Sequence, residues 1–579
     1  MPSRTLAALA AALMLAALPP AHAAPAAAVR YALSVTAHDP ASPPRVHVAL
    51  EFSGEADGET ELILPQAWGG EEHLWRVVRD LAVEGGGARL EPGADSARRV
   101  LRHAPGAALR VRYEVVQDRA GAPRATGRNP YRPVLQPGFV HLLGSTIFVR
   151  PGLDDATLVS FAADSVPAGW SFASDLEHAG PRHPLALGSL FECVIVAGDF
   201  RIVRRGPAGR GLRVALRGEW PFSDAEFADR LERIVRAHRA FWRERDEPFL
   251  VTVLPLAADP GVYSLGGTGL SDAFAFFATG ATDAASMSRV LAHEHLHAWI
   301  PNRIGRLSEG ANEAGDYWFS EGFTDFYTFR LLVRDGLWSL DDYARELNEL
   351  LSRHARSPVR EAPNARIASD FWSNADVRDL PYRRGFLLAM AWDHRLRAAS
   401  GGRRDLDDVM LDLRRAWRQG RGRAAPLATE ALAAALRRAG LDPTPDLERH
   451  IVRGEPMALP ADVFGPGAPI ETFQSSEYAP GFDVAATQAA QGVVAGVDPA
   501  GPAHAAGLRN GMRIVKRESG SPGNPDVELV YLVEDGGVER RIRYLPRGAQ
   551  RFPTQRLALH PAGDTAARER VRRIAAGER

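Results

Sequence analysis

The chain has 579 residues, too many for one hydrophobic core, so roughly two to four domains are expected. Its formal net charge of −1 gives no electrostatic footprint for nucleic acid, and no such partner is expected. Apolar residues make up 45%, ordinary for a globular protein, and Cys193 is the only cysteine, which excludes an intramolecular disulfide.

The first 23 residues have the pattern of a secretory signal. Arg4 supplies a positive start, Leu6 to Leu18 an apolar run, and Ala21-His22-Ala23 a small-residue cleavage site before Ala24. The run is too short to cross a bilayer comfortably, so no stable membrane insertion is expected. The mature protein is expected to be exported, periplasmic or secreted, and soluble after cleavage. Lys516 is the only lysine, which fits a coding bias better than a function.

Residues 24–205 are expected to form a β-rich domain. Tyr31–Ala37, Val46–Phe52, Leu109–Val116, Phe139–Val149 and Val194–Val203 are β-branched or alternating, with Gly, Pro and Asp clusters between them. An antiparallel β-sandwich is the natural arrangement. Cys193, in the run Phe191 to Val196, is expected to be a buried thiol.

Residues 206–460 are expected to be α-rich. Ser223 with Glu226 forms a capping-box pattern ahead of a helix reaching about Arg245. Phe249–Leu256 and Ala273–Ala278 are expected as strands, with a glycine-rich turn from Gly261 to Gly269. A helix from Ala284 to Ile300 is closed by Pro301. It carries His293-Glu294-His295-Leu296-His297, and residues four apart share one helix face, so His293 and His297 can present two imidazoles to one metal ion. Glu294 stands beside them as a general base for a metal-bound water. A second helix, about Tyr317 to Arg334, offers Glu321 as third ligand, and Asp325, one turn on, is placed to accept from a ligand imidazole. Three protein ligands with one open position suit a catalytic zinc, one per chain. The alternative is a core histidine pair with no metal. His295 points away from the pair. Helical segments continue through Leu340–Ala355, Arg384–Ala398, Leu406–Gln419, Thr429–Ala439 and Leu447–Val452.

Pro456 to Pro469 is Pro- and Gly-rich and has the composition of a linker. Residues 470–548 resemble a PDZ domain through Pro502-Ala503-His504-Ala505-Ala506-Gly507-Leu508-Arg509-Asn510-Gly511, and Pro480-Gly481-Phe482 resembles the loop that takes a peptide C-terminus. Residues 549–579 are expected as a polar tail with a short helix at Arg568–Ile574.

Together these segments resemble the glycyl aminopeptidase family of gluzincin metallopeptidases. The matching motifs are His293-Glu294-His295-Leu296-His297-Ala298-Trp299, Trp318-Phe319-Ser320-Glu321-Gly322-Phe323-Thr324 and Tyr382-Arg383-Arg384-Gly385. The resemblance implies a multidomain α+β fold with an N-terminal β-sandwich, a thermolysin-like catalytic domain and a C-terminal PDZ domain. It also implies that Tyr382 stabilises the oxyanion; alternatively, Tyr382 is an ordinary tyrosine at a helix start. Arg384 stands where the clan has lysine. Related aminopeptidases carry a glutamate in the glycine-rich segment that binds the substrate amine. Here Leu265-Gly266-Gly267-Thr268-Gly269-Leu270 has no carboxylate, and Asp272 is near but unmatched. Hydrolysis of peptides or proteins is therefore better supported than N-terminal exopeptidase action. Gly266 and Gly267 are candidate substrate-binding residues, since a peptide backbone can approach them and pair as a strand; they also suit a tight turn. The alternatives are a zinc hydrolase of non-peptide amides and a PDZ-bearing peptide-binding protein with an inactive catalytic domain.

Overall fold

The computed structural model describes residues 27–579 except 40, 126–129, 182, 208–209, 260–261, 421–423 and 466–467; the expected signal segment lies outside them. The chain divides into two compact units, one ending at Phe200 and one spanning Arg201–Arg579.

The first unit is β-rich. Its largest sheet has six strands in the order Leu185–Ala186, Leu158–Ser165, Val29–Thr36, Arg45–Ser53, Ala108–Val115, Val78–Glu84. Alternate residues point inward along Arg45–Ser53 and Ala108–Val115, as a half-buried sheet requires. Two four-stranded sheets complete the unit, and one apolar core joins them. The expected wholly antiparallel arrangement does not hold, because Val29–Thr36 runs parallel to Leu158–Ser165. The expected strand Phe139–Val149 stops at Leu143 and turns into a short helix at Gly144–Ile147. Cys193 is buried, and burial pushes its thiol pKa well up.

The expected strand Val194–Val203 is also two elements. Val194–Gly198 ends at Gly198, whose φ of 131° breaks the extended run. The next strand, Arg201–Arg205, belongs to the second unit. There it opens a five-stranded sheet in the order Arg201–Arg205, Leu212–Leu216, Phe249–Leu256, Ala273–Thr279, Leu265–Gly269. The last strand corrects the expected glycine-rich turn: Leu265–Gly269 pairs antiparallel with Ala273–Thr279 and is the sheet edge.

Helices pack on this sheet and on one another. Asp224–Trp242 begins at Ser223, whose side chain accepts from the Glu226 N–H. Ala284–Leu296 carries the His-Glu motif, and Tyr317–Arg334 carries Glu321. The Tyr382 helix runs from Ala375 to Ser400, starting nine residues earlier than Arg384 and passing through Pro381. Asn374 caps its start by accepting two backbone N–H bonds, which anchors the turn ahead of the proline.

The segment resembling a PDZ domain contains a three-stranded antiparallel sheet, Arg513–Ser519, Leu529–Asp535 and Val538–Tyr544, over a small core of its own. Pro480-Gly481-Phe482 leads into a helix, Val484–Ala489, and Phe482 is buried in that core. The flanking segments differ from expectation. Leu459, Val463, Phe464 and Ala468, in the expected linker, are buried in the core of the catalytic helices. The expected polar tail is structured too. Arg547–Leu557 pairs with Ile470–Tyr478, and the helix Thr565–Ala575 buries Val571 and Ala575 in the same core. The tail is polar in composition, but Ala567, Val571 and Ala575, four residues apart, share one buried helix face. No helix among the described residues is long and apolar enough to cross a membrane.

Candidate metal centre

The Ala284–Leu296 helix starts at Asp283, whose carboxylate accepts from the Ser286 N–H, and its last turn delivers the histidines. His293 lies inside the helix and His297 at its end. The imidazole Nε2 atoms of the two are 3.2 Å apart. Glu321 Oε2, from the neighbouring helix, lies 3.2 Å from His293 Nε2 and 3.4 Å from His297 Nε2. These three are the only candidate metal-ligand group among the described residues.

The other ring nitrogens fix the tautomers. His297 Nδ1 donates to the Ile300 carbonyl at 2.9 Å, since a carbonyl can only accept. His293 Nδ1 donates to Asp325 Oδ1 at 2.9 Å. Both Nε2 lone pairs are thus left for the space shared with Glu321. Ser320 Oγ donates to Glu321 Oε1 at 2.9 Å, which turns Oε2 toward the imidazoles. Two imidazoles and a carboxylate, each held by a partner behind it, make a donor set that fits zinc.

The electrostatics agree. Burial opposes charge on His293, but hydrogen bonds to Asp325 and Glu321 override it and hold its pKa up at about 10. His297 is raised for the same kind of reason, with Glu321 as its main charged neighbour. Burial also works against charge on Glu321, yet His297 and His293 pull its carboxyl well below the usual range. The carboxylates that favour a proton on these imidazoles equally favour a cation in its place, so metal binding here displaces protons and strengthens as pH rises.

Glu294 and Tyr382 complete the cluster. Both line a cleft of about 400 Å³ with His293, Asp325, Arg289 and Arg383. The Tyr382 ring stacks against His293, with centroids 5.9 Å apart. Burial, and then the carboxylates of Glu321, Asp325 and Glu294, push the Tyr382 phenol up, so it keeps its proton. The edge strand runs past the same place: a side chain at Gly269 would begin 3.8 Å from Glu294 Oε2. The two glycines singled out differ. A Cβ at Gly266 would meet nothing within 4 Å, whereas one at Gly267 would collide with the Phe274 ring. Gly267 therefore has a packing reason to be glycine, and Gly266 leaves the strand's face open.

Three residues in or beside the motifs act differently. His295 faces inward, its Nδ1 3.0 Å from that of buried His238. Arg384 is buried and donates to the carbonyls of Arg360 and Gly454, so it ties two segments together. Asp272 sits at the turn after the edge strand, where its charged neighbours are Glu247, Arg303 and Arg239. Ser320 and the Ile300 carbonyl are contributors that sequence reading did not single out. Ser320 adjoins Glu321 in the quoted motif, and that adjacency is the only signal it offered.

Residues 286–380 match the family model for M61 glycyl aminopeptidase, a span holding both histidines, Glu294, Glu321 and Asp325. No curated protein matches the chain. A crystal structure of an aminopeptidase N family protein from Idiomarina loihiensis is similar at a TM-score of 0.65 and 15% identity, covering 94% of this chain and all of that one. An M1 zinc metallopeptidase from Deinococcus radiodurans gives a TM-score of 0.46 at 18% identity, covering 74% of this chain and 94% of that one. The first of these likenesses shows that the multidomain α+β fold is that of the aminopeptidase N type. The matched segment, which holds the donor triad and Glu294, is similar to M61 glycyl aminopeptidase and supports a zinc aminopeptidase-like enzyme.

Proposed function

We propose that the chain is an exported zinc aminopeptidase that holds one zinc ion on His293, His297 and Glu321 and hydrolyses peptide bonds at the N-terminal end of its substrates. The observation that carries this reading is the donor triad within hydrogen-bond distance of itself, backed by Asp325 and Ile300. Zinc, when bound, supplies a Lewis acid that acidifies a water molecule and polarises the scissile carbonyl. Every other part falls to the protein. Glu294, beside the triad on the cleft wall, takes the proton of the attacking water and delivers it to the leaving amine. Tyr382 donates its retained proton to the oxyanion that forms on the carbonyl. The edge strand Leu265–Gly269, with the open face at Gly266, pairs with the substrate backbone and aligns its carbonyl with Glu294.

Export is supported by Arg4, the Leu6–Leu18 run and Ala21-His22-Ala23. The C-terminal module is proposed as a PDZ-like element that engages peptide C-termini, supported by its Pro502–Gly511 run. The test is release of the first residue from a glycine-led peptide. Wild-type protein should free glycine, and Glu294→Gln should not. Internal cleavage with no free glycine would replace the aminopeptidase reading with an endopeptidase one.

A further inference from the structure

The cleft at the metal centre does not end at the catalytic helices. The helix Leu340–Arg356 contributes Glu346, Glu349 and Arg353 to its wall, and the same three residues line a second cavity of about 880 Å³. The far wall of that cavity comes from the C-terminal ribbon, Ile470–Tyr478 paired with Arg547–Leu557. The wall is fixed in place. Asn348 donates to the Leu557 carbonyl and accepts from its N–H at 2.6 Å, and Asn524 donates to Glu349 at 2.9 Å. The two cavities adjoin along this helix wall, and the groove they outline has the metal centre at one end and the C-terminal ribbon at the other.

Arginines gather at the far end of this groove. Beyond the three shared residues, the metal end has Glu294, Asp325 and Asp379 against Arg289 and Arg383. The far end has Arg345, Arg547, Arg551 and Arg556 against Asp526. Three of these four arginines are neutralised: Arg345 by Asp342, Arg547 by Asp526 and Arg556 by Glu471. Arg551 has no ion pair or hydrogen-bond partner for its side chain among the described residues. Opposite it in the ribbon register is Ser476, which is 1% exposed and whose hydroxyl has no hydrogen-bond partner. Directly paired residues of antiparallel strands put their side chains on one face, roughly 5 Å apart. A buried hydroxyl without a partner is costly unless a ligand supplies one.

We infer that this groove binds the part of a peptide substrate that follows the scissile bond, and that Arg551 and Ser476 take its C-terminal carboxylate. The inference rests on the aminopeptidase reading for the direction of the peptide. When the first residue sits at the metal, the rest of the chain must leave on the amine side of the broken bond. The free carboxylate of such a peptide then lies toward the ribbon, where Arg551 is unpaired. An unpaired guanidinium beside a hydroxyl is a carboxylate receptor.

The test is calorimetric binding to full-length, zinc-loaded Glu294→Gln protein. The probes are one glycine-led hexapeptide with a free C-terminus and the same peptide as its C-terminal amide. The amide should bind about tenfold more weakly, the worth of one charge-assisted hydrogen bond. Arg551→Ala should bind both forms equally, and Arg551→Lys should recover part of the preference. Arg551→Ala in the otherwise wild-type chain should leave hydrolysis of glycine amide unchanged, because that substrate cannot reach the ribbon. Equal affinity of the parent protein for both peptides, or a preference that survives Arg551→Ala, overturns the inference. If the Arg551-dependent preference appears but wild-type protein frees no glycine, the groove stands and the aminopeptidase reading alone falls.

Discussion

Gly322 and Gly385 meet where the Glu321 helix crosses the Tyr382 helix, and neither position has room for a methyl group. A Cβ on Gly385 would overlap the Trp318 carbonyl oxygen, and one on Gly322 would overlap Gly385 itself. Gly322 follows Glu321 directly, and Gly385 is three residues past Tyr382. The contact therefore sets the distance between the third ligand and the phenol. Gly385→Ala must push the helices apart, at a cost of about 1–3 kcal/mol for an overpacked contact. It should lower the melting temperature and also weaken zinc binding. A Gly385→Ala protein with unchanged stability and zinc affinity would show that the crossing does not position the site.

Asp325 acts through His293. Removing its charge while keeping its size, in Asp325→Asn, should reduce zinc affinity about 10–100-fold, the usual range for a carboxylate behind a ligand imidazole. Competition with a chelator of known affinity measures it directly. Wild-type affinity in the variant would leave the Asp325–His293 hydrogen bond without a role in the metal site.

Glu294→Gln and Tyr382→Phe separate the proposed chemical roles. The first should keep zinc and lose about 10²–10⁴-fold in kcat, the range for loss of a general base. The second should lose about 10²–10³-fold in kcat with little change in KM if the hydroxyl serves the oxyanion. A loss confined to KM in Tyr382→Phe would make that tyrosine a binding residue.

Stability rests partly on a buried ion network. Arg330, 2% exposed, pairs with Asp393 at 2.8 Å and Asp407 at 2.6 Å. Burial works against charge on Asp393, but Arg330, Arg397 and the Leu406 N–H together hold its carboxyl below the usual range. A folded-state pKa below the unfolded one contributes stability at neutral pH. That contribution fades as pH falls below about 3.9, the unfolded value, and through the folded one. Asp393→Ala leaves part of a buried guanidinium uncompensated and should cost about 3–5 kcal/mol at neutral pH. Urea unfolding at pH 7 and pH 3 checks both statements: the gap between variant and wild type should narrow in acid.

Truncation probes how the modules are joined. A chain ending near residue 465 loses Ile470, Leu557, Val571 and Ala575 from the catalytic core. Each large apolar side chain contributes about 1.5–3 kcal/mol, and a typical domain has only about 5–15 kcal/mol to lose. Such a truncation should unfold or aggregate. A folded, zinc-binding truncated protein would show that the C-terminal packing is dispensable.

The metal centre was legible in the sequence because it is local. His293 and His297 are fixed by helical spacing, and Asp325 follows Glu321 by one turn. Only the meeting of the two helices needed the fold. The edge strand at Leu265–Gly269 was misread because glycines suggest a turn, whereas Gly267 is there to admit the Phe274 ring. The linker and tail were misread because composition hides placement: Phe464 and Val571 are few among polar neighbours but reach the core. The shared groove joins residues about 200 positions apart, such as Glu349 and Arg551, and no local pattern encodes that.

His293, His297 and Glu321 are proposed to hold a zinc ion. Elemental analysis of full-length protein purified without added metal tests it most directly, comparing wild type with His297→Ala/Glu321→Ala and confirming the fold of each by circular dichroism. One zinc per wild-type chain and none in a folded double variant is the expected result. Full zinc occupancy in that variant, or a wild-type protein that binds no zinc when it is supplied, would contradict it.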